Sequence, residues 1–132
     1  MRDLGGPSVF AAVAAGGALG TLARYGVGLL AEPVGGGLPV GTLGVNVLGC
    51  LLIGVLTAVL AAEDRHRLWR PFLGTGVLGG FTTFSAYAVD VQGLIVAGHT
   101  GTALLSLVGT LVAAVAATVA GRAVGLRMVR AR

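Results

Sequence analysis

The chain has 132 residues, 55% of them hydrophobic and 11% charged, with a mean hydropathy of +0.94. So apolar a chain is an integral membrane protein, and its length suits about four crossings of roughly 30 Å of hydrocarbon with no soluble domain left over. Its net charge of +4 includes no lysine, and its arginines cluster at the ends of apolar runs, a pattern that orients a membrane protein and does not build a nucleic-acid surface.

In chain order, the first span is expected over residues 8–30. An arginine, an apolar run and an Ala-x-Ala stretch at the start raise a cleavable signal peptide, but the run continues through Leu22 and three further spans follow, which favours a retained helix. The loop "EPVGGGLP" closes it. The second span covers 40–62 and ends at "EDRHR"; the third opens at Pro71, a favourable first-turn residue, and runs to 97, with Trp69 and Arg70 before it at headgroup level. The fourth covers 102–120 and is followed by an arginine-rich tail, 121–132, so 1–132 reads as a single all-α membrane domain. Eight of the nine arginines then share one side with both termini, and Arg24, inside the first span, is the exception. By the positive-inside rule that side is cytoplasmic. Cys50 is alone, so no intrachain disulfide is possible, and His66 and His99 sit at loop ends without metal-ligand spacing.

Small and polar residues recur every fourth position: Ala12, Gly16, Gly20, Arg24 and Gly28 in the first span; Thr42, Asn46, Cys50 and Gly54 in the second; Thr102, Ser106, Thr110, Ala114 and Thr118 in the fourth. Residues four apart share a helix face. Such stripes let helices pack closely, yet three polar stripes exceed what packing alone asks for.

The third span is interrupted by "GVLGGFTTFSAY" (76–87). As one straight helix, 71–97 would measure roughly 40 Å, longer than hydrocarbon is thick. A break near Gly79 to Thr83, where helix propensity is lowest, would free carbonyls able to hold a cation and N–H groups able to attract an anion. Thr and Ser hydroxyls and the ring edges of Phe81, Phe84 and Tyr87 suit an anion, although aromatic packing explains three rings at this spacing equally well. Arg24 is costly in hydrocarbon and needs a partner or a wet vestibule, with Asp90 as one candidate partner.

The pieces "GGALGTLARY" (16–25), "GTLGVNVLGCLLIG" (41–54) and "GTGVLGGFTTFSAY" (74–87) together resemble the Fluc/CrcB family of fluoride channels, in that family's order and spacing. The resemblance implies an antiparallel dimer with two fluoride pores and a structural sodium ion at its centre, held by carbonyls of the broken third helix at positions matching Gly79 and Thr82. It puts the pore asparagine at Asn46 and the stacked pore rings at Phe84 and Tyr87, with Thr83, Ser85, Ser106 and Thr110 along a polar track, and Arg24 and Thr42 at the vestibule. The second ring is commonly phenylalanine in that family and is tyrosine here.

The function expected is therefore a passive fluoride channel in the cell membrane that protects against fluoride, and not an enzyme, because no nucleophile is spaced with a histidine and an acid. A small proton-coupled multidrug exporter and a non-transporting assembly subunit are the alternatives. An antiparallel pair made from one chain would need insertion both ways, against the arginine bias, so a paralogous partner of opposite orientation is expected in preference to a homodimer.

Overall fold

The computed structural model describes residues 6–31, 35–62 and 67–131. Proline opens two of the apolar segments, at positions where its missing N–H has no intrahelical partner to lose. Pro7 begins α1 (Pro7–Leu30), and Pro71 lies in the first turn of a π-helical stretch, Arg70–Leu78. Between them runs α2 (Val40–Ala62). The π-helical stretch leads into a single α-helical turn, α3 (Gly79–Phe81); α4 (Ser85–Val96) resumes beyond Phe84, and α5 (Thr100–Arg130) follows. Four segments, Pro7–Leu30, Val40–Ala62, Arg70–Val96 and Thr100–Arg130, are long and apolar enough to cross a bilayer. The chain is an all-helical, multi-pass membrane protein.

Two expectations shift. The fourth helix does not stop at 120 but runs to Arg130; Gly121 and Gly125 are buried packing positions within it, and Arg127 and Arg130 in its last turn complement the negative end of the helix dipole. The unwinding expected near Gly79 to Thr83 takes in only the later part of that stretch. Gly79–Phe81 is helical, and the non-helical residues are 82–84, while the axis from Arg70 to Val96 bends by only 13°. Hydrogen bonding is interrupted with little change of direction.

The helices pair as α1 with the third segment and α2 with α5, and the four-residue stripes supply both seams. A Cβ at Gly16 would strike the Phe72 carbonyl, one at Gly20 the Val77 carbonyl, and one at Gly76 would come within 2.9 Å of the Gly16 Cα. Across the other pair, Gly54 faces the Thr118 carbonyl and Gly121 the Leu51 carbonyl, again with no room for a Cβ. These positions are main-chain contacts, which is the packing use of such stripes. The buried apolar cluster is small, Tyr87, Val91, Leu94 and Ala103, and the outward faces of α1 and α5 carry large exposed side chains such as Leu22, Leu111 and Val119. Outer faces of this kind suit hydrocarbon or another subunit. Among the residues used for the orientation argument, Arg2, Arg65 and Arg132 lie outside the described residues, as do Asp3, Glu32 and His66.

Gly20→Ala is expected to destabilise the chain by about 1–3 kcal/mol through overpacking, seen as a lower midpoint of thermal unfolding in detergent. Gly26→Ala, at a helix position with nothing within 4 Å of an added Cβ, should change that midpoint little.

Candidate functional site

Side chains at the interruption take over hydrogen bonds that a continuous helix would make with itself. Asn46, buried on α2, donates from Nδ2 to the Thr83 carbonyl at 2.9 Å, and its Oδ1 accepts the Thr83 N–H at 2.8 Å. One amide orientation alone satisfies both bonds, which fixes the side chain. In an uninterrupted α-helix the Thr83 N–H would go to the Gly79 carbonyl four residues back. The next diverted donor is the Ala86 N–H, which goes to Thr83 Oγ1 at 3.1 Å instead of to the Thr82 carbonyl. Thr82 itself is extended, with φ −74° and ψ 156°; its N–H and its hydroxyl both donate to the Leu78 carbonyl, at 3.0 and 2.9 Å. The donors that would have satisfied the Gly79 and Thr82 carbonyls are thus committed elsewhere. The carbonyl between them, that of Gly80, faces α1 and accepts from Arg24 Nε at 3.2 Å and Thr21 Oγ1 at 3.4 Å.

The rings of Phe84 and Tyr87 follow directly, with centroids 5.7 Å apart and planes inclined at 54°. Phe84 is 80% exposed, whereas Tyr87 is buried and its hydroxyl donates to the Leu107 carbonyl of α5. The tyrosine hydroxyl is therefore occupied in tying α4 to α5. Ser106, the neighbour of Leu107, is 2% exposed, and its Oγ has no partner within the described residues. Thr110 is buried one turn further along α5, and Ser85 lies exposed with its hydroxyl 3.3 Å from Thr83 Oγ1.

A groove of about 360 Å³ brings together Asn46, Thr82, Thr83, Phe84, Tyr87 and Thr110, with Cys50 on the same wall. A smaller cavity of about 170 Å³ is bordered by Arg24, Thr42 and Thr83, so Thr83 is common to both. Gly79, Ser85 and Ser106 line neither space. Asp90 is not the partner of Arg24; it lines a separate cavity beside Gly36 and Gly37, where its Oδ2 is buried without a partner among the described residues. The groove offers hydroxyl and amide donors and aromatic rings but no formal charge, which suits a small anion in passage. No group of three His, Cys, Asp or Glu side chains comes together among the described residues, so a cation at the interruption would depend on main-chain oxygen.

Residues 11–122 match the model of the family described as CrcB-like protein, Camphor Resistance (CrcB). The chain belongs to the CrcB family. It is 52% identical over 116 residues to the Fluoride-specific ion channel FluC of Paracoccus denitrificans, covering 88% of this chain and 93% of that relative. Against Fluoride-specific ion channel FluC 2 of Streptomyces avermitilis it is 56% identical over 104 residues, covering 78% of this chain and 66% of the relative. FluC 3 of the same organism is 46% identical over 125 residues, covering 94% and 61%.

The part of the chain that matches CrcB contains the interruption and both cavities. Three of its contacts escaped the sequence reading. Thr21 lies three residues before Arg24 on the same face of α1, a spacing that points to a shared target. The carbonyls of Leu107 and Leu60, which accept from Tyr87 and, at 2.6 Å, from Arg70, left no such signal because main-chain acceptors are the same at every residue.

Asn46→Ala is expected to leave the Thr83 N–H and carbonyl unpaired, at a cost of about 1–3 kcal/mol. Hydrogen exchange of a peptide spanning 78–86 should speed up in this variant while exchange in the middle of α5 stays as in the wild type.

Proposed function

We propose that this CrcB chain is a fluoride-selective channel of the cell membrane, passing fluoride passively down its gradient and so discharging fluoride that enters as neutral HF and dissociates inside. The reading is carried by the groove at Asn46 and Thr83, in a chain whose relatives bear the name fluoride-specific ion channel. Fluoride is small and strongly hydrated, so a path for it has to replace water with donors. Asn46, Thr83, Ser85, Ser106 and Thr110 are uncharged donors, and Phe84 and Tyr87 bring ring edges with partial positive charge. Their neutrality favours fast exit, since conduction needs sites that are favourable but shallow. The Ser106 hydroxyl, next in sequence to the groove-lining Leu107 and without a partner among the described residues, is the donor with most to gain from an anion that reaches it. Arg24 and Thr42 border the adjoining cavity, and we assign that cavity to the mouth of the path.

A structural sodium ion fits the residues present, because the diversion of two N–H donors to Asn46 and Thr83 Oγ1 leaves the Gly79 and Thr82 carbonyls as hard oxygen ligands. When bound, such an ion would supply a fixed positive charge at the interruption. The outward ring of Phe84 and the open groove beside it are covered, in this reading, by a second subunit of opposite orientation. A paralogue is favoured over a second copy of the same chain, since the arginine bias selects one orientation and two numbered FluC proteins of Streptomyces avermitilis both match this sequence. A proton-coupled exporter is the second reading, favoured by Asp90 Oδ2, which is buried without a partner among the described residues.

The test is efflux from liposomes loaded with potassium fluoride or chloride, read with ion-selective electrodes, using the chain alone and together with a paralogue where its genome encodes one. A channel releases fluoride without a pH gradient and retains chloride. Release that requires a pH gradient favours the exporter, and equal passage of both halides overturns fluoride selectivity. Ser106→Ala should slow fluoride release about tenfold, the loss of one hydrogen bond to an anion, with the unfolding midpoint little changed.

A further inference from the structure

The geometry points to Arg24 as a positioning residue: its Nε–H, with the Thr21 hydroxyl, holds the Gly80 carbonyl against α1 and so decides which carbonyls of the interruption remain free. The inference deepens the channel reading, because it assigns to a residue at the mouth a task performed on the main chain in addition to any effect of its charge.

Breaking the helix at 82–84 deprives several carbonyls of helical donors, and their fates differ. Asn46 takes both main-chain groups of Thr83. The Gly79 and Thr82 carbonyls are left by the diversion of the Thr83 and Ala86 amides. The Gly80 carbonyl lies between those two in sequence and is the one that receives side-chain donors from α1, Arg24 Nε at 3.2 Å and Thr21 Oγ1 at 3.4 Å. Backbone packing brings it there: a Cβ on Gly80 would strike the Gly17 carbonyl and approach the Gly17 Cα within 3.0 Å, so α1 and α3 touch main chain to main chain at this level. Arg24 is half-buried at the same place, where a guanidinium needs a partner and an orphaned carbonyl needs a donor. The two requirements answer each other. Arg24 also borders the cavity lined by Thr42 and Thr83, so one residue belongs both to the mouth and to the interruption.

Two substitutions separate the hydrogen bond from the charge. Gln places its Nε2 at the same number of bonds from Cα as Arg Nε, keeping a donor without the charge. Lys keeps the charge but has a methylene at that position. The positioning role is read by hydrogen exchange of a peptide spanning 78–86 in the purified protein, which does not depend on ion flux. Arg24→Lys should speed exchange of the Thr82 and Thr83 amides by about tenfold or more, whereas Arg24→Gln should stay close to the wild type. Residual fluoride release should fall in the order wild type, Arg24→Gln, Arg24→Lys. The reverse order, with Arg24→Lys protected and active and Arg24→Gln impaired, would overturn the inference in favour of charge, as would equal exchange in both variants. A wild type that releases no fluoride but shows the expected exchange pattern would count against the channel and leave the positioning role standing. Thr21→Val, which removes the second donor to the same carbonyl, should speed exchange in the same peptide in the same direction, and unchanged exchange there would also count against the role.

Discussion

The structure depends on a two-way hydrogen bond between one side chain and one residue's main chain. In hydrocarbon a polypeptide cannot leave N–H and C=O groups unpaired, because no water is present to take them. The Asn46 amide supplies both a donor and an acceptor to Thr83 and so stands in for the helical partners that Thr83 gives up. A residue with only one of these functions would leave the other main-chain group unpaired. The interruption is stable because α2 carries this amide at the depth where the third segment lets go of its own ladder.

Close approach of the helices makes that contact possible. Gly49, one turn beyond Asn46 on α2, has no room for a Cβ beside the Thr82 methyl, so the interruption is seated directly on α2. From the other side Gly16 and Gly20, together with Gly80 against the Gly17 main chain, bring α1 against the third segment, where Arg24 and Thr21 reach the Gly80 carbonyl. The interrupted segment is gripped by side chains of both neighbouring helices. This explains how the hydrogen bonding lapses while the axis bends by only 13°: neighbours hold the two halves nearly in line although the ladder between them is missing. The π-helical stretch before it, in which the Gly79 N–H reaches back to the Gly74 carbonyl, adds a residue to the turn just ahead of the interruption, and π-helical turns, rare in general, are frequent at functional sites.

Much of this was legible in the residues. Composition fixed the class, and the apolar runs fixed four crossings, because hydrocarbon thickness admits few other solutions. The stripes of Gly16 and Gly20 and of Gly54 announced close seams. The placement of the interruption was less legible: Gly79 and Gly80 have the weaker helix propensity, but tertiary contact decides, and the glycines remain helical while Thr82 and Thr83 unwind against Asn46. Propensity is a local quantity, and an amide on another helix does not enter it. The extent of the last helix was missed for a related reason. Its arginines mark an interface, but they also stabilise a helix end, and charge alone does not say where the helix stops. The partnership of Tyr87 with the Leu107 carbonyl left no trace, since one of its two members is main chain.

The Gly80 carbonyl is held by α1, and we propose that the interruption thereby leaves Gly79 and Thr82 for a cation. Carbonyl ¹³C shifts of these three residues, recorded by solid-state NMR in lipid bilayers as sodium is exchanged for N-methylglucamine, address it directly. The Gly79 and Thr82 signals should move on the exchange while the Gly80 signal stays in place. A shift at Gly80 of the same size, or no shift at any of the three, would contradict it.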